Sequence, residues 1–274
     1  MNEARDKARF KERLDLLFEA FKAKTDESGP PEFIGSAYRD PLEHTTRRYL
    51  IDEMLSGLGW DLGRMTREIV EEARALGGTT LFLDYLGVNP ELLVPLLIVE
   101  AKAWARPFVT PSRAASANQG AANELNRDAL LAAAIEHCKQ GGSLDKSPVT
   151  REWAESVQQL HEYVTTVHRE SGHCVQRVAI TSGRWLVIFS NPHETFVEPG
   201  NVSTTRIKLF EEREVIERSD EIYGYLARSN LIKDPPDLIQ PSQLTGYVDR
   251  PDMLRLFRAV WVARRNDGAH FAPF

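Results

Sequence analysis

Apolar residues recur at helical spacing from residue 4 to residue 24, where Phe10, Leu14, Leu17, Phe18 and Phe21 would line one face of an amphipathic helix. A loop with Pro30-Pro31 follows, and a second helix opens at Asp40-Pro41-Leu42-Glu43. Asp40 suits the N-cap and Pro41 the first helical position. Leu50, Ile51, Met54, Leu55 and Leu58 continue the buried stripe to about residue 58, where Gly57 and Gly59 end it. The pattern then changes. Leu81-Phe82-Leu83-Asp84-Tyr85 and Leu96-Leu97-Ile98-Val99-Glu100-Ala101-Lys102 are short apolar runs, joined by the turn-rich Gly87-Val88-Asn89-Pro90, and they read as two strands. A helix is expected near residues 123 to 139. Another is expected from about 152 to 169, carrying Val157, Leu160, Val164 and Val167. Two more strand-like runs, 174 to 181 and 185 to 190, turn at Ser182-Gly183. Helices alternating with short strands predict an α/β sandwich around a mixed sheet.

Three divisions follow: an N-terminal helix and loop (1–35), a central domain (36–233), and a Pro-containing linker with a C-terminal helix near 251 to 264 (234–274). Within the central domain, the Ala-, Asn- and Gly-rich stretch 103–150 reads as an insertion over the site. No internal repeat is visible. Hydrophobic residues make up 42% and charged residues 27%, so a sizeable core is available to a globular chain. No apolar run is long enough to span a bilayer, the first 24 residues lack a signal-peptide core, and only Cys138 and Cys174 could form thiols. A cytoplasmic protein with free cysteines and no membrane partner is expected. The net charge of -6 argues against generic polyanion binding and moves any nucleic-acid contact to a local patch.

The two strand-like runs carry the chemistry. Side chains alternate along a strand, so Glu100 and Lys102 share a face with Ala101 opposite. If the runs pair as a hairpin, Asp84 comes beside Glu100. Two carboxylates and an ammonium then meet at the end of a buried sheet, an arrangement suited to a divalent cation and a phosphodiester. Taken singly, each carboxylate reads more readily as a solvent-facing edge residue; together, and with Lys102 after a strongly apolar strand, they read as a site.

Asp84 followed by Glu100-Ala101-Lys102 resembles the PD-(D/E)XK nuclease signature. Residues 43 to 52 (Glu-His-Thr-Thr-Arg-Arg-Tyr-Leu-Ile-Asp), with Leu58-Gly59-Trp60-Asp61, resemble the opening helix of the N-terminal nuclease domain in type I restriction enzyme motor subunits. Gln159 and Tyr163 resemble the Q-x-x-x-Y element of that branch. Thr181-Ser182-Gly183-Arg184-Trp185 resembles its T-N-G-x-x-W turn, with Ser182 in place of Asn. The resemblance covers roughly residues 40 to 192, departs from the pattern in the insertion after Lys102, and fades after Pro192. It implies a restriction-endonuclease-like mixed β-sheet core flanked by helices. It also implies a metal-dependent endonuclease acting on DNA in restriction or anti-phage defence.

On that reading Asp84 and Glu100 hold Mg²⁺, with Mn²⁺ able to substitute, and the Ala101 carbonyl is a third ligand. Lys102 positions the attacking water or neutralises transition-state charge. Glu43 adds a carboxylate to the metal, since it lies one heptad before Leu50. A capping box with Asp40 accounts for it equally well. Gln159 and Tyr163 lie on one helix face and would contact the nucleic acid or support the site, or else form the polar shoulder of an amphipathic helix. No G-x-x-x-x-G-K-[ST] loop is present, so translocation would need a motor or sensor domain or partner subunit, and a homo-oligomer is compatible. Two alternatives stand beside this: the same scaffold acting on RNA or DNA ends, and a catalytically silent module that binds nucleic acid or a partner. His161, His168, His173 and Cys174 fall close together, but their spacing matches no closed four-ligand zinc pattern. Gly77-Gly78 reads as a plain turn, and Arg47 and Arg48 as exposed helix charge.

Overall fold

The structure is a computed structural model that describes residues 3–28, 41–63, 69–74, 82–89, 91–92, 94–118 and 126–233. Asp40 and its capping role, the Pro30-Pro31 loop, the Gly77-Gly78 turn and the tail with its linker and helix lie outside the described residues.

The predicted N-terminal helix forms as α1 (Glu3–Ser28). Phe10, Leu14, Phe18 and Phe21 are all buried along it, as their spacing requires. The second helix differs from expectation. It is α2 (Pro41–Thr46), a π-helical turn (Arg47–Ile51) and α3 (Asp52–Gly57), with the Asp52 N–H bonded to the Arg47 carbonyl five residues back. The π-turn lets Leu50 and Ile51 enter the core while Arg47 stays with the polar groups at the sheet end.

One mixed sheet runs in the order β1 (Ile69–Arg74), β2 (Phe82–Asn89), β3 (Val94–Ala101), β4 (Arg177–Thr181), β5 (Leu186–Phe189) and β6 (Ile207–Phe210). The first three strands are an antiparallel meander, and the β2–β3 hairpin expected from the two apolar runs is present. The turn expected at Gly87 to Asn89 is instead the end of β2, and the chain reverses at Glu91 and Leu92. Strand β4 lies parallel to β3, so the chain must cross over between them. It does so through α4 (Arg113–Asn118), α5 (Arg127–Lys139) and α6 (Arg151–Ser171). Asn126 caps α5 by accepting from the Ala129 N–H at 3.0 Å, and Gly172 ends α6 at φ 67°. Three short helices, α8 (Glu212–Glu217), α9 (Ser219–Leu226) and α10 (Arg228–Lys233), follow β6.

Two apolar clusters face the two sides of the sheet. One joins Ile98, Val178, Ile180, Val187 and Phe189 to α5 and α6. The other joins Tyr85, Leu97, Val99, Ala101, Ala179 and Ile188 to α1, the π-turn, α3 and α9. All of β3 is buried, as a central strand covered on both faces must be. Leu160, 1% exposed on α6, anchors the first cluster. Leu160→Ala should cost about 2–5 kcal/mol in chemical denaturation, the range for emptying a packed leucine site. No helix among the described residues is long and apolar enough to cross a membrane.

Candidate active site

In the antiparallel register, Tyr85 pairs with Val99 and Leu86 with Ile98. The pairing ends there, with Asp84 and Glu100 the next residues of the two strands and Glu100 on the face that Ile98 shares. There the Ala101 N–H donates to Asp84 Oδ2 at 2.8 Å, so a side chain completes the ladder at its end. The parallel partner holds the other flank, where the Lys102 N–H donates to the Thr181 carbonyl at 2.8 Å. The sheet thereby fixes the backbone on both sides of Ala101, and with it the direction of Glu100 and Lys102.

Glu100 is 3% exposed. Lys102 Nζ donates to its Oε1 at 2.7 Å, while Oε2 is buried without a hydrogen-bond partner. Burial pushes the Glu100 carboxyl up to about 7. The negative charges of Asp84 and Glu43 push the same way, against the Lys102 ammonium. Asp84 and Glu43 therefore both act on Glu100 through their charge.

Arg47 corrects its expected place on an exposed helix surface. Its side chain is only 14% exposed, its Nη1 lies 3.1 Å from Asp84 Oδ1, and its guanidinium stands 5.3 Å from the centre of the Tyr85 ring. Arg48, 64% exposed, does keep to the surface. Arg47 is four residues after Glu43, so the argument that turned Glu43 toward the sheet applies to it as well. Beneath this pair, the Tyr85 hydroxyl donates to Asp52 Oδ1 at 2.6 Å and Arg48 Nη1 to Asp52 Oδ2 at 3.2 Å. Burial and the Asp52 carboxylate hold the Tyr85 phenol well above its usual range, so it stays a donor. The helix carrying Glu43 and Arg47 is thus pinned to β2.

The same helix is tied to the segment after Lys102. Buried Thr46 accepts the Trp104 N–H on Oγ1 at 3.1 Å, and the Trp104 ring packs against Phe18 and Phe21 of α1. The turn between β4 and β5 closes the arrangement. Thr181 Oγ1 accepts the Gly183 N–H at 2.8 Å and donates to the Trp185 carbonyl at 2.6 Å. Gly183 has φ +80°, and a Cβ there would stand 2.1 Å from a Leu50 methyl. A side chain at that position is excluded twice, by conformation and by the approach of the helix.

Gln159 and Tyr163 stand on α6, in the layer that covers the Ile98 face. Gln159 Nε2 donates to the Tyr163 hydroxyl. Tyr163 is 2% exposed and Gln159 half-buried, so of the two the amide is the more accessible.

Carboxylate oxygens are the ligands a hard divalent cation takes, although those of Glu43, Asp84 and Glu100 do not all lie within 4.8 Å of one another. Asp84 and, from the helix, Glu43 act on Glu100 through their charge, and a buried oxygen of Glu100 has no hydrogen-bond partner. Arg47 and Lys102 now supply the positive charge that such an ion would bring. No family model matches this chain, and no curated protein or solved structure does either.

Proposed function

We propose that this chain is a Mg²⁺-dependent endonuclease that hydrolyses DNA phosphodiester bonds, built on a restriction-endonuclease-like fold of the PD-(D/E)XK kind and working in restriction or anti-phage defence. The observation that carries the reading is the buried, unpartnered Oε2 of Glu100, set among Asp84, Glu43 and Lys102. A core with no ligand to hold has little reason to retain an acid whose proton is poised near 7. The order of elements supports it too: a helix, a three-stranded meander, a crossover helix, and a strand parallel to the third.

Asp84 and Glu100 would hold the metal, with Glu43 and the Ala101 carbonyl as further donors. Bound there, Mg²⁺ would polarise the scissile phosphate and make a water acidic enough to attack. Lys102, held by Thr181 and Glu100, would steady that water or the charge building on phosphorus. Gln159 would contact the nucleic-acid backbone, and Tyr163 would hold Gln159 in place.

Purified protein should nick or cut plasmid DNA with Mg²⁺ and not with EDTA. Circular DNA, linear DNA and RNA run side by side assign the substrate. Uncut DNA with RNA degraded moves the reading to a ribonuclease. No cleavage of any substrate, with no Mg²⁺ bound in a titration, ends it.

Two variants probe the surroundings. Arg47→Ala removes the cation now paired with Asp84, so the metal-free protein should melt earlier while Mg²⁺ binds about tenfold tighter, about 1.4 kcal/mol. Calorimetric titration measures this, and unchanged affinity would mean that Arg47 and the metal do not compete. Gln159→Ala should slow cleavage per folded molecule by about tenfold at unchanged Mg²⁺ affinity. Full activity in that variant would leave α6 a purely structural element.

A further inference from the structure

At the far end of β4 from Glu100, three side chains from three elements converge. His168 is in the last turn of α6, Cys174 precedes β4, and His193 is on α7 (Pro192–Phe196). Their ligand atoms all lie within 4.8 Å of one another. We propose that His168, Cys174 and His193 bind one Zn²⁺, in a site separate from the carboxylate site and independent of the function proposed above.

The geometry fits the ion. With Zn–S of about 2.3 Å and Zn–N of about 2.0–2.1 Å, a tetrahedral site separates sulfur from nitrogen by about 3.6 Å. His168 Nδ1 and Cys174 Sγ are 3.7 Å apart. The His168 and His193 rings meet edge to face with centroids 4.6 Å apart, close enough to share one ion. The turn that delivers Cys174 is already formed. Gly172 takes φ 67°, and the His173 N–H donates to Ser171 Oγ at 3.1 Å, which folds the chain back over His168. On the outer side, Glu198 Oε1 lies 3.2 Å from His193 Nδ1. A carboxylate on one ring nitrogen fixes the tautomer and offers the other nitrogen, Nε2, to a metal.

The donor chemistry selects the metal. A thiolate with two imidazoles suits zinc and is foreign to Mg²⁺, which takes oxygen ligands. Three protein ligands leave a fourth tetrahedral position, and Cys174 is exposed, so solvent supplies it. Spacing alone could not find this site, because His193 joins it from a different part of the sequence and His161 is turned away. His161 Nδ1 is 2.8 Å from the Phe196 carbonyl.

The test is a Co²⁺ titration of metal-free protein, followed by displacement with Zn²⁺. The Glu100→Gln variant serves as background, so that the carboxylate site takes no part. One equivalent of Co²⁺ should bind with a near-ultraviolet thiolate-to-cobalt charge-transfer absorption. Cys174→Ser should abolish that absorption, and Cys138→Ser, which alters the other thiol, should leave it intact. His168→Ala and His193→Ala should each weaken binding at least tenfold. Glu198→Gln should weaken it about tenfold while the absorption persists, as expected of a group that positions a ligand. Melting curves without metal establish that each variant is folded, and if a histidine variant is not, the exposed Cys174→Ser pair with Cys138→Ser decides the question. Absence of the charge-transfer absorption in the parent, or its survival in Cys174→Ser, overturns the proposal.

Discussion

Glu100→Gln should abolish Mg²⁺-dependent cleavage, by roughly 10³-fold or more, while making the metal-free protein more stable at pH 8. The glutamine keeps the shape and can still accept from Lys102, but it cannot carry the charge that burial penalises. The folded carboxyl is raised from its ordinary 4.5 to about 7, so folding favours the protonated form. Its contribution to stability is therefore complete below about pH 4.5 and is lost as pH rises through about 7. The shift corresponds to about 3 kcal/mol by pH 8, an upper value for the stabilisation by glutamine. Denaturation of both proteins from pH 5 to 8 should show the wild type losing stability relative to the variant. Mg²⁺ binding must displace the same proton, so its affinity should weaken as pH falls below 7. A Glu100→Gln protein that cuts DNA at the wild-type rate would remove Glu100 from the chemistry altogether.

Lys102→Ala should lower turnover by about 10²–10³ and leave Mg²⁺ affinity within about threefold, measured at pH 8.5. The high pH matters. Lys102 holds the Glu100 carboxyl down, so removing the lysine near neutrality would also protonate a metal ligand and blur the two roles. Lys102 is 15% exposed, and its backbone is fixed by Thr181, so a larger head group has little room. Lys102→Arg should accordingly recover little, because a flat guanidinium does not replace a compact ammonium. The role is refuted if the alanine variant loses affinity but regains the full rate at saturating Mg²⁺.

Much of this was legible in the chain because periodicity reports which face a residue occupies. The β2–β3 hairpin, the buried stripe of α6 and the α1 core face all follow from residue spacing. What was missed has physical causes. The π-turn at Arg47–Ile51 adds a residue to the helical repeat, and no local propensity in Arg-Arg-Tyr-Leu-Ile announces it. Arg47 therefore passed for surface charge, although it is largely buried against Asp84 and Tyr85. Strand β1 carries adjacent glutamates, Glu71 and Glu72, and β6 spans only four residues, so neither gives the alternation that marks a half-buried strand. The Gly87 to Asn89 segment looks like a turn by composition. Gly87 is in β2 because a Cβ there would strike the Trp60 ring at 2.8 Å, a tertiary reason invisible to neighbours in sequence.

The parallel pairing of β3 with β4 has a consequence for how the chain reaches this state. The β2–β3 hairpin can form early from local contacts, but the far side of β3 stays unpaired until the crossover helices have docked and β4 arrives. Through that interval the fully buried strand Val94–Ala101 shows an open backbone edge, which is a template for pairing with another molecule. Substitutions in α6 that slow docking should thus appear first as low yield and aggregation at 37 °C. Protein rescued by slower expression at low temperature would then have near-normal activity. A survey of variants that scored only soluble yield would assign such positions to the reaction, when their contribution is to the time that edge stays open.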